Sequence, residues 1–296
     1  MKGRKAEKNN ASARRLVYVA AAIIIVLVPS IFFLQFYFGD QGSPKAAVID
    51  QLGSSKLAEA IRDENQTFLE EAKQLLYKRF SVVDFYSDNA TVEQYKRLAS
   101  AGYKLIVWRA HSALDLNSTY IAISTTDKYG SIDYDQYLEN GQLTLCNITG
   151  DQTLYFGITP KFIDEIMTGR FQDTVVVLMS CNGLKQGYLK TALAFEAKGA
   201  KVFISWDGWV GTSDNDYGTS LLLQYLINEN DTVNSAVGKI LPLNSPEFGP
   251  AQLQYYPQSL EVANYRIPDY REHNGPQHDA LITLTSFRKT EEPQDN

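Results

Sequence analysis

Apolar residues are distributed along the chain in three different ways, and each predicts a different kind of element. From Leu16 to Phe38 there is no charge in 23 residues, LVYVAAAIIIVLVPSIFFLQFYF. At ~1.5 Å per residue a helix of that length crosses the ~30 Å hydrocarbon core of a bilayer, so the pattern predicts a transmembrane helix over 16–38. Pro29 and Gln35 are tolerable inside a spanning helix, and Phe36, Tyr37 and Phe38 suit a membrane interface. A Gly/Ser/Pro-bearing stretch from Asp40 to Ser54 reads as a linker. Beyond it, Leu57, Ile61, Phe68, Ala72 and Leu75 share one stripe of a helix predicted over Lys56–Lys78. Residues 39–80 are therefore expected to form a linker and a stalk helix.

After Ser81 short apolar runs alternate with helical stretches, the signature of βαβ units around a largely parallel sheet. Strands are predicted at SVVDFY (81–86), YKLIVWR (103–109), TVVVLMS (174–180) and KVFISW (201–206), with a hairpin involving YIAIST (from Tyr120) and LTLCNI (from Leu143). The β-branched run at 174–180 should be the central strand. Helices are predicted over 92–101, over 160–168 with Thr159 as cap and Pro160 in first position, over 189–198 ending at Gly199, and near 217–227 and 232–241. ALITLTSF near the C-terminus reads as an edge strand. No internal repeat or second boundary interrupts 81–296, which implies one α/β domain after a leader (1–15), the membrane helix and the stalk.

Composition is that of a folded domain with an appendage: 296 residues, 44% hydrophobic and 21% charged. Charge adds an orientation. Lys2, Arg4, Lys5, Lys8, Arg14 and Arg15 stand against Glu7 in the first fifteen residues, a net of +5, so the remainder carries −11 of the total −6. The positive-inside rule keeps the leader cytoplasmic and puts everything after Gly39 outside the cell. A cleaved signal peptide fits less well, because the apolar run is long and no small-residue cleavage site follows Phe38. An acidic body has no means of holding a phosphate backbone, so nucleic acid is not an expected partner. Five Asn-x-Thr triplets, at Asn65, Asn89, Asn117, Asn147 and Asn230, are candidate glycosylation sites on an exported domain, or polar loop sequence without glycans.

Ligands of an open parallel sheet bind beyond the carboxyl ends of its strands, which draws attention to the residues just after each apolar run. His111 follows YKLIVWRA, Cys181 follows TVVVLMS, and Trp206 with Asp207 ends KVFIS. If the first two strands are neighbours, a nucleophile and its proton-transfer partner share one rim. An imidazole can take the proton of a thiol of ordinary pKa ~8.5 and return it to a leaving amine. The bland alternatives are a small buried cysteine and a satisfied loop histidine. His273 and His278 lie in the Gly/Pro loop EHNGPQHD and read as solvated. Cys146 and Cys181 can close one bridge at most, and no metal-ligand spacing or cofactor motif stands out. SDNDYG (213–218) has the carboxylates of a calcium loop but no glutamate at the required offset, and reads as a polar turn.

The segments LIVWRAHS, VVVLMSCNG and AKGAKVFISWDGWV resemble, in this order, those of the caspase-like cysteine peptidases, nearest in pattern to the CHAT and clostripain-like branch. The resemblance covers roughly 81–236. It implies a three-layer α/β sandwich with a mostly parallel sheet and peptide-bond cleavage through an acyl-enzyme on Cys181, with His111 as general acid/base. It also implies an oxyanion site of the Cys181 and Ser112 backbone N–H groups. The sequence departs from the family in having Ser112, where glycine is usual, and in having Met179 and Ser180 rather than an acid before the cysteine. Asp207, Asp214 or Asp216 are then the carboxylates left to meet a basic substrate side chain, with turn capping the simpler role for them, and Trp206 reads as a pocket wall or a core aromatic.

The expected protein is a membrane-anchored extracellular peptidase without cofactors, whose partners are a peptide or protein substrate and, through 16–38, the lipid bilayer. A non-catalytic surface receptor or adhesion module of the same fold is the alternative; in it, a Cys146–Cys181 disulfide would block the nucleophile. A sortase-like transpeptidase shares the anchor and the order His then Cys. It lacks support, because helices separate these strands and no arginine lies between Cys181 and Tyr265.

Overall fold

The computed structural model describes residues 44–115 and 119–271. The leader, the 16–38 segment, Asn117, His273, His278 and the 280–287 run lie outside them. Among the described residues no helix is long and apolar enough to cross a membrane.

The fold is α/β around a six-stranded, mostly parallel sheet. Its strands are β1 (Lys45–Asp50), β2 (Val82–Tyr86), β3 (Tyr103–Arg109), β8 (Thr174–Met179), β9 (Ala200–Trp206) and β12 (Leu253–Tyr256), in the order β12-β9-β8-β3-β1-β2. Every pairing is parallel except β12 on β9. A second, antiparallel sheet is made of β4 (Ser112–Asp115), β5 (Tyr120–Lys128), β6 (Leu143–Asn147) and β7 (Leu154–Ile158), in the order β4-β5-β7-β6. A small hairpin of β10 (Leu243–Ser245) and β11 (Gly249–Ala251) completes the strands. The helices, in chain order, are α1 (Gln66–Leu76), α2 (Val92–Arg97), α3 (Asp135–Glu139), α4 (Pro160–Glu165), α5 (Lys190–Ala197), α6 (Thr212–Leu223), α7 (Val233–Gly238) and α8 (Leu260–Ala263).

The alternation of side chains along buried strands divides the core in two. Val48, Val107, Val177 and Ile204 meet Phe68, Leu69 and Leu76 of α1 together with Leu222 and Leu223 of α6. Ile49, Trp108, Val176, Leu178 and Phe203 meet Tyr95 of α2, Phe162 of α4, Phe195 of α5, and Ile121, Ile123 and Phe156 of the second sheet. Helices thus cover both faces, and β8 is the interior strand its composition suggested, with all six residues buried.

The main departure from expectation is at the N-terminal side. The linker expected over Asp40–Ser54 contains β1, which lies between β2 and β3 with Ala46, Ala47, Val48 and Ile49 fully buried. KAAVID is too short and too alanine-rich to announce a strand, and Gly42, Ser43 and Pro44 around it mimic a linker. The stalk helix is likewise broken: a 3₁₀ turn at Glu59–Ile61 is followed by α1, which Asn65 opens by accepting from Phe68 N–H at 3.0 Å. Residues 45–80 therefore belong to the domain. Among the described residues the antiparallel edge of the sheet is β12. SDNDYG is helical rather than a polar turn, being the start of α6, with Asn215 and Asp216 buried.

A stalk and a core strand differ in one measurable way. Ile49→Ala should cost about 2–5 kcal/mol in urea unfolding because a fully buried branched side chain leaves a cavity. Val82→Ala, on the edge strand and 41% exposed, should cost under about 1 kcal/mol.

Candidate functional site

Register at the carboxyl rim sets the geometry of the site. Arg109 pairs with Met179 across β3 and β8, and Asp50 pairs with Arg109 across β1 and β3. His111 and Cys181 thus each lie two residues beyond a paired position on neighbouring strands, whose backbones run ~4.8 Å apart. Ser112 Oγ donates to the Cys181 carbonyl at 2.7 Å and so ties the two loops together.

His111 is held from three sides. Its backbone N–H donates to Gln51 Oε1 at 3.0 Å, its carbonyl accepts from Ser124 N–H at 2.9 Å, and its Nε2 lies 3.0 Å from the Ile61 carbonyl. A carbonyl only accepts, so the neutral ring carries its proton on Nε2 and leaves a lone pair on Nδ1. Burial pushes the imidazole below its ordinary pKa, against a smaller upward pull from the Ile61 hydrogen bond. Ser124 donating to His111 puts the ladder bonds of β4 at His111 and Ala113, so the Ser112 N–H points away from β5.

Cys181 sits in the turn after β8, half-buried and free, as is Cys146, so no disulfide joins them. Its Sγ donates to the Val210 carbonyl and accepts from Val210 N–H, both at 3.4 Å. Burial pushes the thiol up, and the Val210 N–H only partly counters this. The resting pair is therefore a neutral thiol and a neutral imidazole, with the thiol proton directed to Val210 rather than to His111. Strain gathers around the sulfur. Asn182 adopts φ +60°, and Ser180 Oγ and Asn182 Oδ1 are buried without a hydrogen-bond partner. Such costs of about 1–3 kcal/mol per unsatisfied group are uncommon in a core and concentrate at working sites. Gly183 completes the turn because a Cβ there would lie 2.1 Å from Ser205 Oγ. The Cys181 N–H has no acceptor among the described residues.

Two residues before His111 a guanidinium is fully buried. Arg109 Nε donates to Asp216 Oδ1 at 2.7 Å, Nη2 to Asp216 Oδ2 at 2.9 Å and Asp63 Oδ1 at 2.7 Å, and Nη1 to Asp50 Oδ1 at 3.0 Å and the Asp63 carbonyl at 2.6 Å. Burial alone would lower its pKa, but Asp216 and the other carboxylates outweigh that and keep it charged.

Several expected site residues have other duties. Trp206 is 1% exposed, donates Nε1–H to Asn215 Oδ1 at 2.8 Å, and packs so closely on α6 that a Cβ at Gly218 would lie 2.8 Å from its ring. It is a core aromatic, not a pocket wall; Trp209, 45% exposed and next to Val210, is the tryptophan at the surface. Asp207 exchanges both hydrogen bonds with Gln252, N–H to O at 3.0 Å and Oδ1 from N–H at 2.7 Å, which splices the β9 end to the chain before β12. Asp216 serves Arg109, while Asp214 is exposed in the first turn of α6. Asn65 Nδ2 donates to buried Asp216 at 2.9 Å, so a glycan there conflicts with the folded cluster. Asn89, Asn147 and Asn230 are exposed. Capping explains part of the Asn-x-Thr enrichment, since Asn65, Thr91 and Thr232 each cap a helix.

Residues that sequence reasoning missed are Gln51, Asp50, Asp63, Arg109 and the Ile61 and Val210 backbones. One signal was available: an arginine at the end of the otherwise apolar YKLIVWR has to bring counter-charges with it. Among the described residues no group of three or more His, Cys, Asp or Glu is arranged to hold a metal ion. No family model matches the chain, and no curated protein matches it in sequence.

Two measurements check this electrostatic picture. Labelling of the native protein by iodoacetamide, located by mass spectrometry, should fall on Cys181 and keep rising with pH through 9 and beyond. Cys146, buried with its thiol pushed up to about 12, should stay unmodified. A plateau of Cys181 labelling near neutrality would mean a resting thiolate. Secondly, the folded imidazole of His111 is depressed, so below about 6.5 the unfolded chain protonates there first. Stability should fall as pH drops through that value and level off below the folded pKa; in His111→Gln the melting temperature should change less between pH 8 and 5.

Proposed function

We propose that the chain is a membrane-anchored extracellular cysteine peptidase of caspase-like architecture. The observation that carries this reading is the matched register, with His111 and Cys181 at the same offset beyond adjacent parallel strands and their loops joined by Ser112. The strand order, with a final antiparallel edge, and the strained turn at Cys181 support it. In the reaction the thiol leaves Val210 and gives its proton to His111 Nδ1 as Sγ attacks the scissile carbonyl. The new oxyanion takes hydrogen bonds from the Cys181 and Ser112 N–H groups. The amide C–N bond then breaks, His111 returns the proton to the leaving amine, and water, deprotonated by the same ring, hydrolyses the thioester. Throughout, the Ile61 carbonyl stabilises the imidazolium through Nε2–H.

The anchor at 16–38 keeps the leader in the cytoplasm and the domain outside, where exposed Asn89, Asn147 and Asn230 are the better candidates for glycans. The commitment of the thiol proton to Val210 favours a second reading, a non-catalytic surface receptor or adhesion module.

Cleavage of a peptide library by the purified full chain separates the two. Cys181→Ala should abolish turnover and His111→Ala reduce it by about 10²–10⁴-fold, with melting temperatures little changed. Full activity in either variant rules out the dyad. No cleavage by the wild type, together with no labelling of Cys181 by peptidyl acyloxymethyl ketones, would favour the surface module.

A further inference from the structure

We propose that Arg109 is a positioning residue whose guanidinium holds the Ile61 carbonyl against the imidazole and so sets the working tautomer of His111. The inference rests on the reading of His111 as the acid/base. Arg109 is the last residue of β3 and stands two residues before His111, so what it grips is held close to that ring. What it grips is the segment just after Ile61: the Asp63 carbonyl at 2.6 Å through Nη1 and Asp63 Oδ1 at 2.7 Å through Nη2. Thr212 Oγ1 donates to the other Asp63 oxygen at 2.6 Å, and Asp63 N–H donates to the Leu52 carbonyl at 2.9 Å, so the segment is fastened from three directions.

Stability alone does not account for this arrangement. A buried ion cluster is in general no more stable than a packed apolar replacement, because desolvation of the charges offsets their attraction. A Met or Leu at 109 would continue the apolar face of Leu105 and Val107. What a forked cation adds is direction, since its donors fix three separate chain segments at once, at Asp50, Asp63 and Asp216. The carbonyl acceptor of a catalytic ring has to be held to a fraction of an ångström, and a three-residue 3₁₀ turn is too short to hold itself. The same fork reaches Asp50 and Asp216, so β1, β3, α6 and the 61–65 segment meet at one group.

The test uses the full chain with ¹⁵N-labelled histidine, in the wild type, Arg109→Lys, Thr212→Val and, to locate the signal, His111→Gln. Arg109→Lys keeps the charge and loses the fork. Thr212→Val removes one hydrogen bond at the edge of the cluster and keeps the protein foldable should the lysine variant not fold. In wild type, long-range ¹H–¹⁵N spectra should show His111 as the Nε2–H tautomer. In either folded variant that signal should move toward a mixture of tautomers, and kcat for a cleaved peptide should fall, toward about 100-fold for Arg109→Lys, with KM little changed. His111 remaining wholly Nε2–H in folded variants overturns the proposal, including when kcat falls. A tautomer shift in a protein that cleaves no peptide would uphold the positioning role and count against the peptidase reading instead.

Discussion

A guanidinium cut off from water has to be met by acceptors on nearly every donor, and at Arg109 that requirement organises the whole rim of the sheet. Asp50 closes β1, Asp216 lies in α6, and Asp63 lies in the connection between the 3₁₀ turn and α1. Asp50 and Asp63 precede β3 while Asp216 lies far beyond it in sequence, and all are drawn to one side chain at the end of that strand. Removing one partner from such a cluster typically costs about 3–5 kcal/mol, because the charge left behind is buried and uncompensated. The cluster therefore specifies one arrangement of the loops more than it adds to stability, and the candidate site is built on that arrangement.

His111 and Cys181 lie on the same rim. Parallel pairing of β3 with β8 sets His111 and Cys181 at the same offset beyond adjacent strands, and the Ile61 carbonyl meets Nε2 of the ring. Burial then biases both groups to their neutral forms, the thiol upward and the imidazole downward. The unsatisfied Ser180 and Asn182 atoms show that the turn holding Cys181 is not arranged for stability alone.

Much of the framework was legible in the chain because long buried strands leave unambiguous runs. YKLIVWR and TVVVLMS emerge with their boundaries nearly unchanged, and Thr159–Pro160 opens α4 as its cap chemistry dictates. β1 escaped because KAAVID carries little apolar bulk and follows residues typical of a linker. Trp206 was misassigned because periodicity marks a strand end without saying whether an aromatic there points to solvent or into the core; the approach of Gly218 settled that. Backbone acceptors such as the Ile61 and Val210 carbonyls leave no trace in side-chain identity, so no reading of residue types could have found them.

By itself the sequence determined the alternation of elements, the order His then Cys after two apolar strands, and the acidic body behind a basic leader, since these depend on local pattern and composition. Only the tertiary structure decided which strands are neighbours, that residues 45–50 form an interior strand between β2 and β3, and which carboxylates surround Arg109. Those outcomes depend on contacts between segments far apart in the chain, such as Asn65 with Asp216, 151 residues away, and their geometry is fixed by packing and desolvation rather than by local preference.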